Sequence, residues 1–147
     1  MRFEEIITDK KSLLDLLLLA DEQEDMIDRY LNQGQLFALY DPEVVCVAVI
    51  LKLNDQECEL KNIATLPSAQ RQGYGTVMIQ FLITKFLSRY QTIYVGTGDV
   101  PETLAFYQKC GFRNSHRVKN FFTDNYREPI IDHGVHLIDM VYLRIDK

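Results

Sequence analysis

Between residues 57 and 89 a short loop containing two glycines separates a strand from a long helix. Pro67 ends the strand, and the loop reads Gln-Arg-Gln-Gly-Tyr-Gly over residues 70–75. Glycine lets a ligand approach the backbone closely, and the free amides at a helix N-terminus attract anions. The segment therefore predicts an anion-binding loop. The alternative is a plain turn in which Gly73 and Gly75 only supply positive φ angles.

Two common classes of nucleotide-binding loop do not fit the glycine spacing. A dinucleotide-binding fingerprint needs a third glycine three residues after the second, and that position holds Met78. The pair Gly96 and Gly98 fails the same test because Pro101 takes the third place. A Walker loop needs a lysine directly after its last glycine, and no lysine stands there. Neither class accounts for the loop.

Apolar periodicity predicts an α/β (α+β) fold in a single domain spanning residues 1–147. The predicted strands are 2–7, 35–40, 44–53, 57–66, 91–97, 118–122 and 136–145. The predicted helices contain the leucines of 13–18, the apolar residues of 26–31 and 77–86, and the segment 101–110. A helix connects the fourth and fifth strands, so these two are expected to be parallel. The expected architecture is a mixed, largely antiparallel central sheet with helices on both faces.

Charge and composition narrow the class of protein. The 147 residues carry a formal net charge of -5, which argues against nucleic acid as a partner. The longest apolar run, residues 13–20, is interrupted by Asp15 and is far shorter than the ~20 residues of a membrane span, so we expect no membrane partner. The cysteines lack metal-ligand spacing, which favours reduced thiols in a cytoplasmic protein and no metal site. They are Cys46, Cys58 and Cys110.

Two correctly spaced blocks carry a family resemblance. The first is Gln70-x-x-Gly73-x-Gly75, preceded by the strand residues 59–67. The second is Leu-Ala-Phe-Tyr-Gln-Lys-Cys-Gly-Phe over residues 104–112. With the order of strands and helices, these blocks resemble the pyrophosphate loop and the Phe/Leu-Tyr-x-x-x-Gly-Phe signature of the GNAT superfamily of N-acetyltransferases.

The resemblance implies an enzyme that moves an acetyl group from acetyl-coenzyme A to a primary amine by direct attack, in a sequential mechanism. The implied acceptor is a small-molecule or peptide amine, and a homodimer is left open. The contrasting class is a non-catalytic regulatory module that binds acyl-coenzyme A and needs only the glycine loop. The presence of both Glu59 and Tyr107 favours the enzyme.

The resemblance also assigns the residues that bind the coenzyme. Backbone groups of the strand before the loop would pair with the pantetheine arm and polarise the thioester carbonyl, and the loop amides would bind the pyrophosphate. The residues so implied are Ile63, Ala64, Thr65, Gln70, Arg71, Gln72, Gly73, Tyr74, Gly75 and Thr76.

Glu59 and Tyr107 are the predicted catalytic residues. An acceptor amine with a pKa near ~10.4 must lose a proton before it attacks, and Glu59 matches the base of the family's histone-acetylating branch. The alternatives are a water relay and a solvated strand glutamate beside Lys61. Tyr107 matches the signature tyrosine, whose hydroxyl would protonate the leaving thiolate. The alternative is packing with Phe106 and Phe112.

Three features remain open at the level of sequence. Many relatives have asparagine and alanine where this chain has Val100 and Thr103. The resemblance therefore assigns no coenzyme contact to these two positions, and Thr97 or Asp99 are the candidates to make that contact instead. The acidic stretch 21–28 is either a solvated helix face or a wall that attracts a cationic acceptor. The aromatic stretch 121–126 either lines the acceptor pocket or packs a hairpin. The three histidines are expected on the surface or in turns; they are His116, His133 and His136.

Overall fold

The computed structural model describes residues 1–147 as alternating strands and helices. The strands are β1 (Arg2–Ile6), β2 (Gln35–Tyr40), β3 (Val44–Lys52), β4 (Glu57–Thr65), β5 (Thr92–Gly98), β6 (Arg113–Val118), β7 (Ile131–Asp132), β8 (Val135–His136) and β9 (Met140–Asp146). The α-helices are α1 (Leu14–Ala20), α2 (Glu24–Ile27), α3 (Tyr74–Phe86), α4 (Pro101–Lys109) and α5 (Phe121–Asn125). Single 3-10 turns precede α1 and α3.

A seven-stranded sheet in the order β1-β2-β3-β4-β5-β9-β6 forms the centre of the fold, and β7 and β8 form a separate hairpin. Strand β3 is apolar along nearly its whole length and lies buried between β2 and β4, as expected for a central strand covered on both faces. The pair β4 and β5 is parallel because helix α3 connects them, and all other pairs are antiparallel. The predicted mixed, largely antiparallel sheet is confirmed.

Helices pack on both faces of the sheet because the side chains of each strand alternate. Along β2, Phe37 and Leu39 belong to the core cluster that includes residues of α3 and α4. The intervening Leu36 and Ala38 belong to a second cluster with residues of α1 and α2. The same period of two that predicts a strand therefore divides the core into two layers.

The helices are short. The 13-residue α3 is the longest, and no helix is long and apolar enough to cross a bilayer. Helix α2 covers only four residues, whereas the apolar pattern predicts a helix as far as residue 31. Turns replace its later part, but Tyr30 and Leu31 remain buried as the pattern requires.

The predicted strand over residues 118–122 is wrong. Strand β6 ends at Val118, and α5 begins directly after Asn120. The backbone of Asn120 has a φ of 58°, and its amide donates a hydrogen bond to Asp139 Oδ1 at 2.9 Å. Every residue of β6 is exposed, so this edge strand offers no apolar alternation to detect. Phe122 instead packs in a small cluster with Val100 and Leu137. The predicted strand over 136–145 is likewise divided, between β8 and β9.

Candidate functional site

The candidate site opens where the two parallel strands separate. Strands β4 and β5 pair over four residue pairs that end at Leu60 and Val95. Beyond these residues β4 continues to Thr65 and β5 to Gly98 without pairing to each other. The end of β4 therefore has backbone groups without a strand partner on the side facing β5, where a bound molecule can pair with them.

A cavity of about 520 Å³, which we call the loop cavity, lies on one side of this opening. It is bordered by the N-terminus of α3, where Gly73 has a φ of 86° and Arg71 a φ of 64°. The first amides of α3 have no partner within the helix and, with the helix dipole, favour an anionic ligand. The lining residues are Ile63, Thr65, Gln70, Arg71, Gly73, Tyr74, Gly75, Thr76, Thr103, Phe106 and Tyr107.

A second cavity of about 300 Å³, which we call the acidic cavity, lies on the other side. Residues 19–22 at the end of α1, residues 60–63 of β4 and residues 95–98 of β5 form its walls, with contributions from α4, α5 and the segment 130–140. Its charged lining residues are Asp21, Glu22, Asp132 and Lys61. Carboxylates outnumber cations in this wall, so the cavity favours a cationic occupant.

The two cavities meet at three shared residues. Ile63, Thr103 and Tyr107 line both of them. A molecule in the loop cavity and a second molecule in the acidic cavity can therefore contact each other at this junction. Such an arrangement brings two reactants together without a covalent protein intermediate.

Tyr107 is held rigidly at the junction. The residue is 6% exposed, and its ring packs edge-on against Phe106 and Phe112 with centroid distances of 5.2 and 5.8 Å. Burial raises the pKa of Tyr107 above the ordinary phenol value, and Cys110 and Cys46 add to the effect. The hydroxyl therefore stays protonated at neutral pH and can donate a proton or a hydrogen bond. The packing role and the donor role predicted as alternatives are compatible.

Glu59 lies buried in β4, next to the acidic cavity but outside its lining. Its exposure is 7%, which excludes a solvated strand glutamate. The Oε2 atom lies 3.1 Å from Lys61 Nζ. Burial raises the pKa of Tyr142 to about 12, and the nearby Glu59 carboxylate adds to this effect through its negative charge.

Most residues that the resemblance assigns to the coenzyme line the loop cavity: Ile63, Thr65, Gln70, Arg71, Gly73, Tyr74, Gly75 and Thr76. Ala64 does not, because its side chain packs in the cluster with α1 on the opposite face of the sheet. Gln72 is exposed, and its Nε2 donates to the Ser68 carbonyl at 3.5 Å. The roles assigned to Ala64 and Gln72 involve backbone atoms and do not depend on these side chains.

The structure locates the features that sequence left open. Thr103 lines both cavities, and Thr97 lines the acidic cavity. Val100 is fully buried, and Asp99 pairs with Arg117 on the surface at 2.8 Å. The substituted positions therefore place a threonine at the junction. The histidines His116, His133 and His136 are all exposed and line neither cavity.

Asn62 lines the acidic cavity and was not singled out from the sequence, whereas Tyr126 belongs to the aromatic stretch 121–126, for which the acceptor pocket was one of two alternatives. Asn62 is 4% exposed, and its Nδ2 donates to the Leu17 carbonyl and to the Tyr30 hydroxyl, both at 3.0 Å. Tyr126 follows α5, and its hydroxyl donates to Asp21 Oδ1 at 2.5 Å. The hydrogen bonds themselves gave no local signal, because the partners are 45 and 105 residues apart in the chain.

A family model described as "Acetyltransferase (GNAT) family" matches residues 3–112. The Bacillus subtilis protein called "Uncharacterized N-acetyltransferase YvbK" is 39% identical over 137 residues, which is 91% of this chain and 88% of that protein.

Two solved structures have the same fold over nearly their whole length. A GNAT family acetyltransferase from Elizabethkingia anophelis with acetyl-CoA bound has a TM-score of 0.94 and 35% identity, covering 99% of this chain and 97% of the other. A Bacillus subtilis acetyltransferase in complex with CoA has a TM-score of 0.89 and 37% identity, covering 99% of this chain and 98% of the other.

Proposed function

The chain belongs to the GNAT family of acetyltransferases, and from this we propose that it transfers an acetyl group from acetyl-coenzyme A to a primary amine by direct attack in a ternary complex. Residues 1–147 form one N-acetyltransferase domain in this proposal. The observation that carries it is the junction of the two cavities at Ile63, Thr103 and Tyr107. The loop cavity would hold the pyrophosphate and pantetheine, and the acidic cavity the amine.

The reaction has a balanced course at this junction. The neutral amine nitrogen attacks the thioester carbonyl carbon, and the backbone at Ile63–Thr65 stabilises the oxygen that becomes negative. The carbon–sulfur bond then breaks, and the thiolate takes a proton from the Tyr107 hydroxyl. The proton that the amine loses passes to Glu59, directly or through water.

The cysteines support direct attack over an acetyl-cysteine intermediate. Cys46, Cys58 and Cys110 are all buried, and none lines either cavity. Burial raises the pKa of each thiol, to about 12 for Cys58. The thiolate is the nucleophilic form, so a raised pKa makes all three poor nucleophiles.

The test is an initial-velocity study with a panel of primary amines, monitored by release of free coenzyme A thiol. A ternary-complex mechanism gives intersecting double-reciprocal lines when both substrates are varied, and an acetyl-enzyme gives parallel lines. Parallel lines would contradict direct attack. Tight acetyl-coenzyme A binding without thiol release for any small or peptide amine would instead favour the non-catalytic module.

The glycine loop gives a prediction about coenzyme affinity. A Cβ at Gly73 would meet no protein atom within 4 Å, so an added side chain would project into the open space beside the loop cavity. We expect Gly73→Val to weaken acetyl-coenzyme A binding by at least about tenfold in calorimetry, because the added side chain obstructs the approach of pyrophosphate to the amides.

Gly134→Val is the matched control for this variant. Gly134 has a similar φ of 76° and equally open surroundings, but it lies in the turn between β7 and β8. The control therefore imposes comparable backbone strain at a position that does not line the loop cavity. Equal losses of affinity in the two variants would remove the loop from the coenzyme site.

A further inference from the structure

Asp21 presents a carboxylate to the acidic cavity in a fixed orientation. The residue follows α1, and both of its oxygens accept hydrogen bonds from phenols: Oδ2 from Tyr30 at 2.8 Å and Oδ1 from Tyr126 at 2.5 Å. Burial raises the pKa of both tyrosines, so their hydroxyls remain donors at neutral pH. Two rigid aromatic side chains thus hold one carboxylate in place.

No cation of the protein forms an ion pair with Asp21. The two cations that influence it most, Lys61 and Arg29, have other partners. Lys61 Nζ lies 3.1 Å from Glu59 Oε2, and Arg29 Nη1 donates to Asn125 Oδ1 at 3.1 Å. Burial also raises the pKa of Asp21, the effect expected when a carboxylate loses water without gaining a cation.

A second buried group of the same wall also lacks a partner. Asn62 lines the acidic cavity, and its Oδ1 accepts no hydrogen bond from the protein. Its Nδ2 is bound to the Leu17 carbonyl and the Tyr30 hydroxyl, which fixes the orientation of the amide. This oxygen has almost no accessible surface, so the amide acts by holding the Tyr30 hydroxyl that donates to Asp21 and not as a ligand contact. The network of Asp21, Tyr30 and Asn62 thus fixes one carboxylate as the acceptor that suits a donor with positive charge.

We propose that Asp21 binds a second positively charged group of the acceptor, so that the preferred acceptors are small molecules with two amino groups. The inference rests on the proposed acetyl transfer. Asp21 lines only the acidic cavity, whereas the reacting groups meet at the residues shared with the loop cavity. The reacting nitrogen must lose its charge before attack, and a carboxylate that held it as an ammonium ion would oppose that step. A fixed carboxylate away from the junction suits an amino group that stays charged.

The experiment compares linear diamines from diaminobutane to diaminooctane with alkyl monoamines of equal chain length. Thiol release gives kcat/KM, and calorimetry on the protein saturated with coenzyme A gives acceptor affinity without turnover. We expect the wild type to favour at least one diamine over its matched monoamine by about tenfold or more, mainly through KM and affinity. Asp21→Asn should lose most of this preference, because diamine affinity should fall by more than monoamine affinity, while coenzyme A affinity should stay within about twofold.

Asp15→Asn is the matched control, since Asp15 is an exposed residue of α1 that lines neither cavity. It removes the same charge and should keep the diamine preference. A second variant, Tyr126→Phe, removes one donor to Asp21 but keeps the charge, and should lose part of the preference.

Each outcome decides between the two proposals. Equal binding of diamines and monoamines by the wild type, or a preference that survives in Asp21→Asn, overturns the assignment of Asp21 whether or not acetyl transfer occurs. Diamine binding that depends on Asp21 but yields no thiol release supports the assignment and contradicts the transferase function. A preference lost equally in Asp15→Asn also overturns the assignment, because it reflects net charge.

Discussion

We expect Tyr107→Phe to lower kcat by roughly 100-fold, the smaller end of the range for a positioned general acid. The substitution deletes the hydroxyl and leaves the ring in its contacts with Phe106 and Phe112. Stability should therefore change little, and acetyl-coenzyme A affinity should stay near that of the wild type. Steady-state kinetics, calorimetry and urea unfolding measure the three quantities.

The pH dependence gives the same prediction a second readout. A general acid works only while it is protonated, and the raised pKa of Tyr107 keeps it protonated beyond the ordinary phenol value of ~10. The wild-type rate should therefore not fall as the pH rises toward that value. Tyr90→Phe is the control, since it deletes a hydroxyl from the same core cluster away from both cavities. Full turnover in Tyr107→Phe would leave this residue with a packing role only.

Local pattern was sufficient for most of the fold. The β2–β4 meander, the parallel β4–β5 pair, the start of α3 and the boundaries of α4 follow from the alternation of apolar residues, from Pro67 and Pro101 and from the glycines, whereas α3 ends at Phe86 and not near residue 89. Gly111 follows the C-cap of α4 and has a φ of 108°, in the left-handed region that glycine adopts where a helix ends. These signals are carried by neighbouring residues, so a sequence shows them directly.

The C-terminal third of the chain was less predictable for a physical reason. Strand β6 is an edge strand with polar, exposed residues, and its place is fixed by pairing with β9. The pattern of the aromatic residues after β6 predicts a strand, but these residues form α5, in which Phe122 is buried against Val100 and Leu137. Contacts between distant segments decided these elements.

The residues of the candidate site also differ in whether neighbouring residues or distant contacts reveal them. The glycine loop and Tyr107 lie in contiguous motifs, and the structure places them around one cavity. Asp21 was visible only as part of an acidic stretch. Its position in the cavity wall depends on Tyr30 and Tyr126, and the other acidic residues of that stretch include Asp25, which pairs with Arg127 on the surface. Composition marked the charge but did not identify which carboxylate faces the cavity.

For Glu59→Gln we expect kcat near neutral pH to fall by roughly 100-fold, because glutamine keeps the shape of the side chain but accepts no proton. Coenzyme affinity should persist. The defect should shrink as the pH approaches the pKa of the acceptor, ~10.4 for an alkyl amine, since the amine then loses its proton unaided. The ratio of wild-type to variant rates should therefore decrease with rising pH, and pH–rate profiles with one good acceptor measure it.

The ion pair with Lys61 makes a control essential for this prediction. Glu59→Gln frees Lys61 Nζ from its partner at 3.1 Å, and an unpaired lysine in the acidic cavity wall would repel a cationic acceptor. That effect raises KM and leaves kcat at saturating acceptor unchanged, whereas loss of the base lowers kcat itself; high pH relieves both, so the split between KM and kcat separates the two explanations. Glu57→Gln, on the same strand but outside both cavities, should change neither parameter. A variant with the wild-type pH profile and only a raised KM would assign Glu59 to the positioning of Lys61 and leave deprotonation to water.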